Sequence, residues 1–170
     1  MWTQTSMIKS MLFGIVAVTC GGSALAQAPT VSDALRYFDG TWHCNGVFPS
    51  NGRKISSKLA FTWYAQTGSL LKQHDDEPPN SYHATELWVA SSKGGFQNLI
   101  GDSFGGARPF SSAGWVGNAL IWVGDSDPTR KEQFAYFKLD ANTMRIDWSV
   151  SKNGVDFVVG DTLTCSRIRV

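Results

Sequence analysis

Histidine gives out early in this chain: there are three in 170 residues, and none follows His83. Cysteine is equally scarce, with three. Neither sign of charge dominates, since 15 Lys and Arg stand against 14 Asp and Glu. Such a chain has no electrostatic footprint for nucleic acid or an anionic membrane surface. Its apolar runs are too short to span a bilayer. Beyond Phe38 no stretch repeats its apolar residues at helical spacing. What remains is an all-β chain.

The start reads as an export signal. Lys9 supplies a positive charge, residues 11–18 are an apolar run, and Ala24-Leu25-Ala26 is a small-x-small cleavage site. Met7 serves as well as Met1 for a first residue. A lipoprotein reading of Cys20 lacks the flanking residues it needs. Cleavage after Ala26 defines a signal peptide, 1–26, and a mature domain, 27–170, of ordinary single-domain size. The product is formally neutral and periplasmic or secreted, with no membrane insertion expected after cleavage. It keeps two cysteines, Cys44 and Cys165, and an even pair in an oxidising compartment favours a disulfide.

After a tether at 28–30, residues 31–38 place apolar side chains at i, i+3, i+4 and i+7, which predicts one to two turns of helix. From Gly40 the period becomes two. Ten strands follow, at 41–48, 53–65, 69–75, 81–90, 94–101, 107–116, 119–125, 130–139, 143–151 and 155–169. Explicit turns separate them. Gly117-Asn118 and Asn153-Gly154 suit two-residue hairpins, and Ser126-Asp127-Pro128 marks a break. Connections this short make sequential antiparallel neighbours, hence a meander. Alternation puts Ile55, Ser57, Leu59, Phe61 and Trp63 on one face, as it does Met144, Ile146, Trp148 and Val150. Val155, Phe157, Val159, Asp161, Leu163, Cys165 and Arg167 share another. An even number of strands can close on itself and abolish its edges, giving a closed up-and-down antiparallel β-barrel. A two-sheet sandwich is the competing architecture.

The stretch Phe38-Asp39-Gly40-Thr41-Trp42-His43-Cys44 opens the first strand. If Cys44 faces Cys165 in an antiparallel pair, the same register sets Trp42 opposite Arg167. The helical lead-in, Gly40-Thr41-Trp42 and the terminal Arg together resemble the calycin superfamily, which includes the lipocalins, the fatty-acid-binding proteins and nitrobindin-like barrels. They also resemble small exported bacterial calycin-like proteins. That resemblance implies a barrel with an internal cavity, often for an apolar small molecule. It implies structural roles for Gly40, Trp42 and Arg167 at the closed end. Nitrobindin-like barrels hold haem through a His near the C-terminus, so haem is not supported here and no cofactor is assigned.

The width of a ten-stranded barrel leaves room for a ligand among aromatic side chains. The candidate ligand-binding residues are Phe61, Trp63, Tyr82, Glu86, Trp88, Trp122, Trp148 and Phe157, and Glu86, if inward, needs a partner. His74-Asp75-Asp76-Glu77 with His83 lacks the defined ligand set of a zinc site, so no metal is assigned. Gly101-Asp102-Ser103-Phe104-Gly105 copies a nucleophile elbow without its strand-to-helix context, and no catalytic residue is assigned. Three functions stay open. The first is binding of a small apolar molecule. The second is an enzyme acting on that molecule, with Glu86 or Tyr82 as proton donor. The third is an envelope interaction module with a filled barrel, working through the loop at 104–110.

Overall fold

The computed structural model describes residues 33–124 and 131–169. The signal peptide, Cys20, the tether and the Ser126-Asp127-Pro128 turn lie outside them. Eleven strands follow a 3-10 turn, Asp33–Phe38. They are β1 (Gly40–Val47), β2 (Lys54–Tyr64), β3 (Ser69–Asp76), β4 (His83–Ala90), β5 (Phe96–Asp102) and β6 (Ala107–Ser112). Then come β7 (Trp115–Val116), β8 (Ala119–Gly124), β9 (Lys131–Lys138), β10 (Thr143–Ser151) and β11 (Val158–Arg167). Sequential strands pair antiparallel, β1 pairs with β11, and β6 pairs with β8, so the sheet closes. β7 continues the line of β6 along β8 after a one-residue slip at Ala113 and Gly114. The result is a ten-stranded barrel with one extra short strand.

The two chain ends meet as the pattern predicts. Trp42 lies opposite Arg167 and Cys44 opposite Cys165, and Cys44 and Cys165 form a disulfide across 121 residues. The Arg167 guanidinium stands 4.1 Å from the centre of the Trp42 ring. It donates to the Tyr37 carbonyl at 2.6 Å and to that of Asp39. Gly40, at φ 111°, ends the 3-10 turn in a conformation side chains avoid. A Cβ there would stand 3.1 Å from Arg167 Nη1.

The lead-in departs from expectation in its winding. Its inward residues among those described, Leu35 and Phe38, are three apart and fully buried, which matches three residues per turn and gives 3-10 geometry in place of an α-helix. Phe38 plugs this end of the barrel, within 5.1–5.7 Å of Trp88, Phe61, Tyr136 and Trp115. Trp42 Nε1 donates to the Phe38 carbonyl at 2.7 Å, which fastens the plug to β1.

Two further expectations fail around one irregularity. The register of β10 against β11 shifts between Trp148 and Ser149, with Gly160 as the extra residue in β11, while β10 keeps its register with β9 through Ser151. Val159, beyond the shift, no longer shares a face with Asp161 and is exposed. Val155 and Phe157, also expected on the inner face, precede β11 and are exposed. Asn153-Gly154 consequently belongs to a longer loop, in which Asn153 Oδ1 accepts from the amides of Val155 and Asp156. Gly117-Asn118 does make the two-residue hairpin between β7 and β8.

Candidate functional site

The barrel is solid at the plugged end and hollow at the other. A cavity of about 440 Å³ opens between the loops that follow β1, β3 and β5. Every one of these loops lies at the end remote from Phe38, because odd-numbered strands β1, β3 and β5 run away from the plug. Ile55, Phe134, Ile146, Trp148 and Leu163 supply apolar wall, and Phe48, Tyr82 and Phe104 line the mouth. Phe104 is 82% exposed.

The floor is polar. Lys72 on β3 faces Glu86 on β4 in the hairpin register, and its Nζ stands 2.6 Å from Glu86 Oε1. The same ammonium donates to the Tyr136 hydroxyl at 2.9 Å. The other carboxylate oxygen, Glu86 Oε2, accepts from Trp88 Nε1 and Asn98 Nδ2, each at 2.8 Å. Burial alone would raise Glu86, but the Lys72 charge and these three donors outweigh it and hold the carboxyl below its usual range. Burial and the Glu86 charge push the Tyr136 hydroxyl well up. A buried pair fastened by Tyr136, Trp88 and Asn98 is a rigid platform.

Two more ionic groups line the wall. The Arg108 guanidinium bridges Glu132 and Asp102. His74 Nε2 lies 3.0 Å from Asp76 Oδ1, which also accepts from the Ser57 hydroxyl at 2.6 Å. Burial lowers the His74 pKa, so the ring is held neutral. Burial works against Asp76 ionising, but the His74 and Ser57 hydrogen bonds prevail and its pKa is lowered.

Asp161 is the exception. It lines the cavity, and no cation of the described residues pairs with it. Burial, then the charges of Asp76 and Asp147, raise its pKa to about 7, against a smaller lowering by Lys72 and the backbone amide of Trp148. Burial first, and neighbouring negative charge second, make this carboxyl harder to ionise than a free one.

Of the eight side chains expected at a ligand, Tyr82 and Trp148 line the cavity. Phe61, Trp88 and Trp122 are packed in the barrel core, and Trp63 lies partly buried against it. Glu86 sits beneath the floor and reaches the cavity only through Lys72. Phe157 stands on the β10–β11 loop, exposed. Of the expected proton donors, Glu86 is held ionised, and burial raises the Tyr82 hydroxyl still further from neutrality. His74 and Asp76 point inward while Asp75 and His83 pair outside at 2.8 Å. Among the described residues no three His, Cys, Asp or Glu gather as metal ligands would. Gly101 and Asp102 end β5, and the Ser103 hydroxyl accepts from the His83 amide at 3.2 Å in an exposed turn.

Sequence reading missed Lys72, His74, Asp76, Arg108, Glu132, Tyr136 and Asp161 as site residues. A signal for Lys72 existed: it falls in phase with Leu70 and opposite Glu86, just as Leu70 falls opposite Trp88.

No family model matches the chain, and no curated protein matches it. Among solved structures it is similar to a de novo designed fluorescence-activating β-barrel. The identity is 10% and the TM-score 0.44, over 80% of this chain and 98% of that one. It is similar also to EF1p2_mFAP2b bound to DFHBI, at 12% identity and TM-score 0.42, over 82% and 100%. A third is a protein with unknown function from the DUF3598 family of Nostoc punctiforme PCC 73102, at 9% and 0.26, over 83% and 100%. The ring of strands is defined by its own register, independently of these likenesses.

Proposed function

We propose that this protein is an exported calycin-like barrel, periplasmic or secreted once residues 1–26 are removed, that takes a small, largely apolar molecule into the open half of its lumen. One observation carries the reading: a cavity of about 440 Å³, within the usual range for ligand pockets, opens at one end of a barrel whose other end is plugged. The Cys44–Cys165 disulfide fits an oxidising compartment. Organic extraction of the purified protein followed by mass spectrometry tests it, together with quenching of Trp fluorescence by apolar probes. A co-purified molecule, or quenching that weakens in Trp148→Phe, supports the reading. No extract and no quenching by any probe would sink it.

A second reading, catalysis, is favoured by Asp161 alone, since a carboxyl near pKa 7 in a cavity is poised to give or take a proton. Conversion of a bound extract to a new mass by the native protein, lost in Asp161→Asn, distinguishes it from simple binding.

A further inference from the structure

The charges around the cavity are unevenly partnered. Two of the cations that line it are already engaged, buried Lys72 with Glu86 at 2.6 Å and part-exposed Arg108 with Asp102 and Glu132. Arg53, at the mouth, is exposed and lies 4.4 Å from the centre of the Phe48 ring. An anionic ligand would have to compete with carboxylates already in place. Asp161, by contrast, has no ion-pair partner among the described residues, and it shares the chamber with Asp76, whose Oδ1 is already taken by His74 and Ser57. Trp148 lies directly across from it in the β10–β11 pairing. Phe134 and Tyr136 line the same chamber, and aromatic faces attract cations.

We propose that the ligand carries one positively charged nitrogen, set against Asp161, with its apolar body among Ile146, Trp148 and Phe134. This rests on the reading that the cavity is a ligand site, and it goes beyond it by fixing the ligand as an organic cation. The cation supplies the counterion that Asp161 lacks.

The ionisation of Asp161 then governs affinity. Asp76 and Lys72 on β3 and Tyr136 on β9 line the same chamber, while Asp147 on β10 is paired with Arg145 at 3.2 Å. On the other side of Asp161 the β1 register leads on to Phe48, whose ring carries the exposed Arg53 guanidinium at the mouth. A cation prefers the ionised carboxylate, so binding strengthens as pH rises through about 7 and releases a proton below it. His74, which burial holds neutral, adds no charge of its own as pH falls toward 6.

The probes are benzyltrimethylammonium, which does not titrate, its neutral carbon isostere neopentylbenzene, and 4-phenylbutyrate. Affinities are measured on the oxidised protein at pH 6 and pH 8. The expected order at pH 8 is cation, neutral, anion, with the cation about tenfold tighter than its isostere. Its affinity falls by about threefold or more at pH 6, and Asp161→Asn abolishes both the preference and the pH dependence. Equal affinity for cation and isostere overturns the proposal while leaving the lumen reading intact, as does a cation preference that survives in Asp161→Asn. If none of the three probes binds, both fall together.

Discussion

The indole of Trp148 lies against the backbone of Gly160, so close that a Cβ on that glycine would come within 2.4 Å of ring atom Cε3. The contact sits beside the register shift that ends regular pairing of β10 with β11. It sets the ring that faces Asp161. Gly160→Ala must therefore displace the indole, at a cost of about 1–3 kcal/mol for overpacking. Thermal unfolding and near-UV circular dichroism check this, with a lower Tm and an altered aromatic band expected together.

Lys72→Met leaves Glu86 buried without its cation and is expected to cost about 3–5 kcal/mol in urea unfolding. The double variant Lys72→Met/Glu86→Gln keeps an acceptor for Trp88 and Asn98 and recovers more than half of that loss. The Glu86 pKa is lowered by folding, so its stabilisation is present above the unfolded carboxyl pKa and disappears as pH falls through the folded one. A single variant as stable as the native protein would show that the pair contributes nothing.

Asp161 has the opposite sign. Its folded pKa is about 7, against about 4 in an unfolded chain. The folded state thus holds the proton more tightly. That contribution is full below pH 4 and is lost as pH rises to 7. Asp161→Asn is expected to gain on the order of 2–4 kcal/mol at pH 8 relative to the native protein and nothing at pH 4. Denaturant midpoints at the two pH values decide it, and a gain of equal size at both refutes the assignment.

At the plugged end, Arg167→Ala removes the stack on Trp42 and the bonds to two carbonyls, at a cost of about 1–3 kcal/mol. Arg167→Lys should not restore the loss, since an ammonium cannot reproduce the flat two-pronged donor. Probe affinity in the cavity stays within about twofold, the stack being at the far end of the lumen. Unchanged melting with lost affinity would reverse this assignment.

Reduction of the Cys44–Cys165 bridge, or Cys44→Ser/Cys165→Ser, frees a chain closed over 121 residues. The chain-entropy estimate for that closure is about 4–5 kcal/mol. Guanidinium unfolding with and without reductant measures it.

The barrel was legible because its signals are local or reciprocal. Short turns order the strands, and one register satisfies both Cys44–Cys165 and Trp42–Arg167. The cavity was not, for two reasons. Lys72, Asp76 and Asp161 are residues whose usual place is solvent, and only the fold reveals that partners or a lumen surround them. The shift at Trp148 also breaks the period of two on which the inward reading of Phe157 and Val159 depended. Aromatic count pointed to Trp88 and Trp122, yet bulk draws those rings to the plug, because large apolar side chains fill the half of the barrel that excludes water.

To a protease this molecule is circular. The sulfur bridge joins its first strand to its last, so one cut anywhere between Cys44 and Cys165 releases nothing. The loops carrying Phe104, at the mouth, and Val155, 82% and 75% exposed, are where such a nick would fall. A clipped protein would migrate as one band until thiols were added, its entrance altered and its two pieces still paired strand to strand.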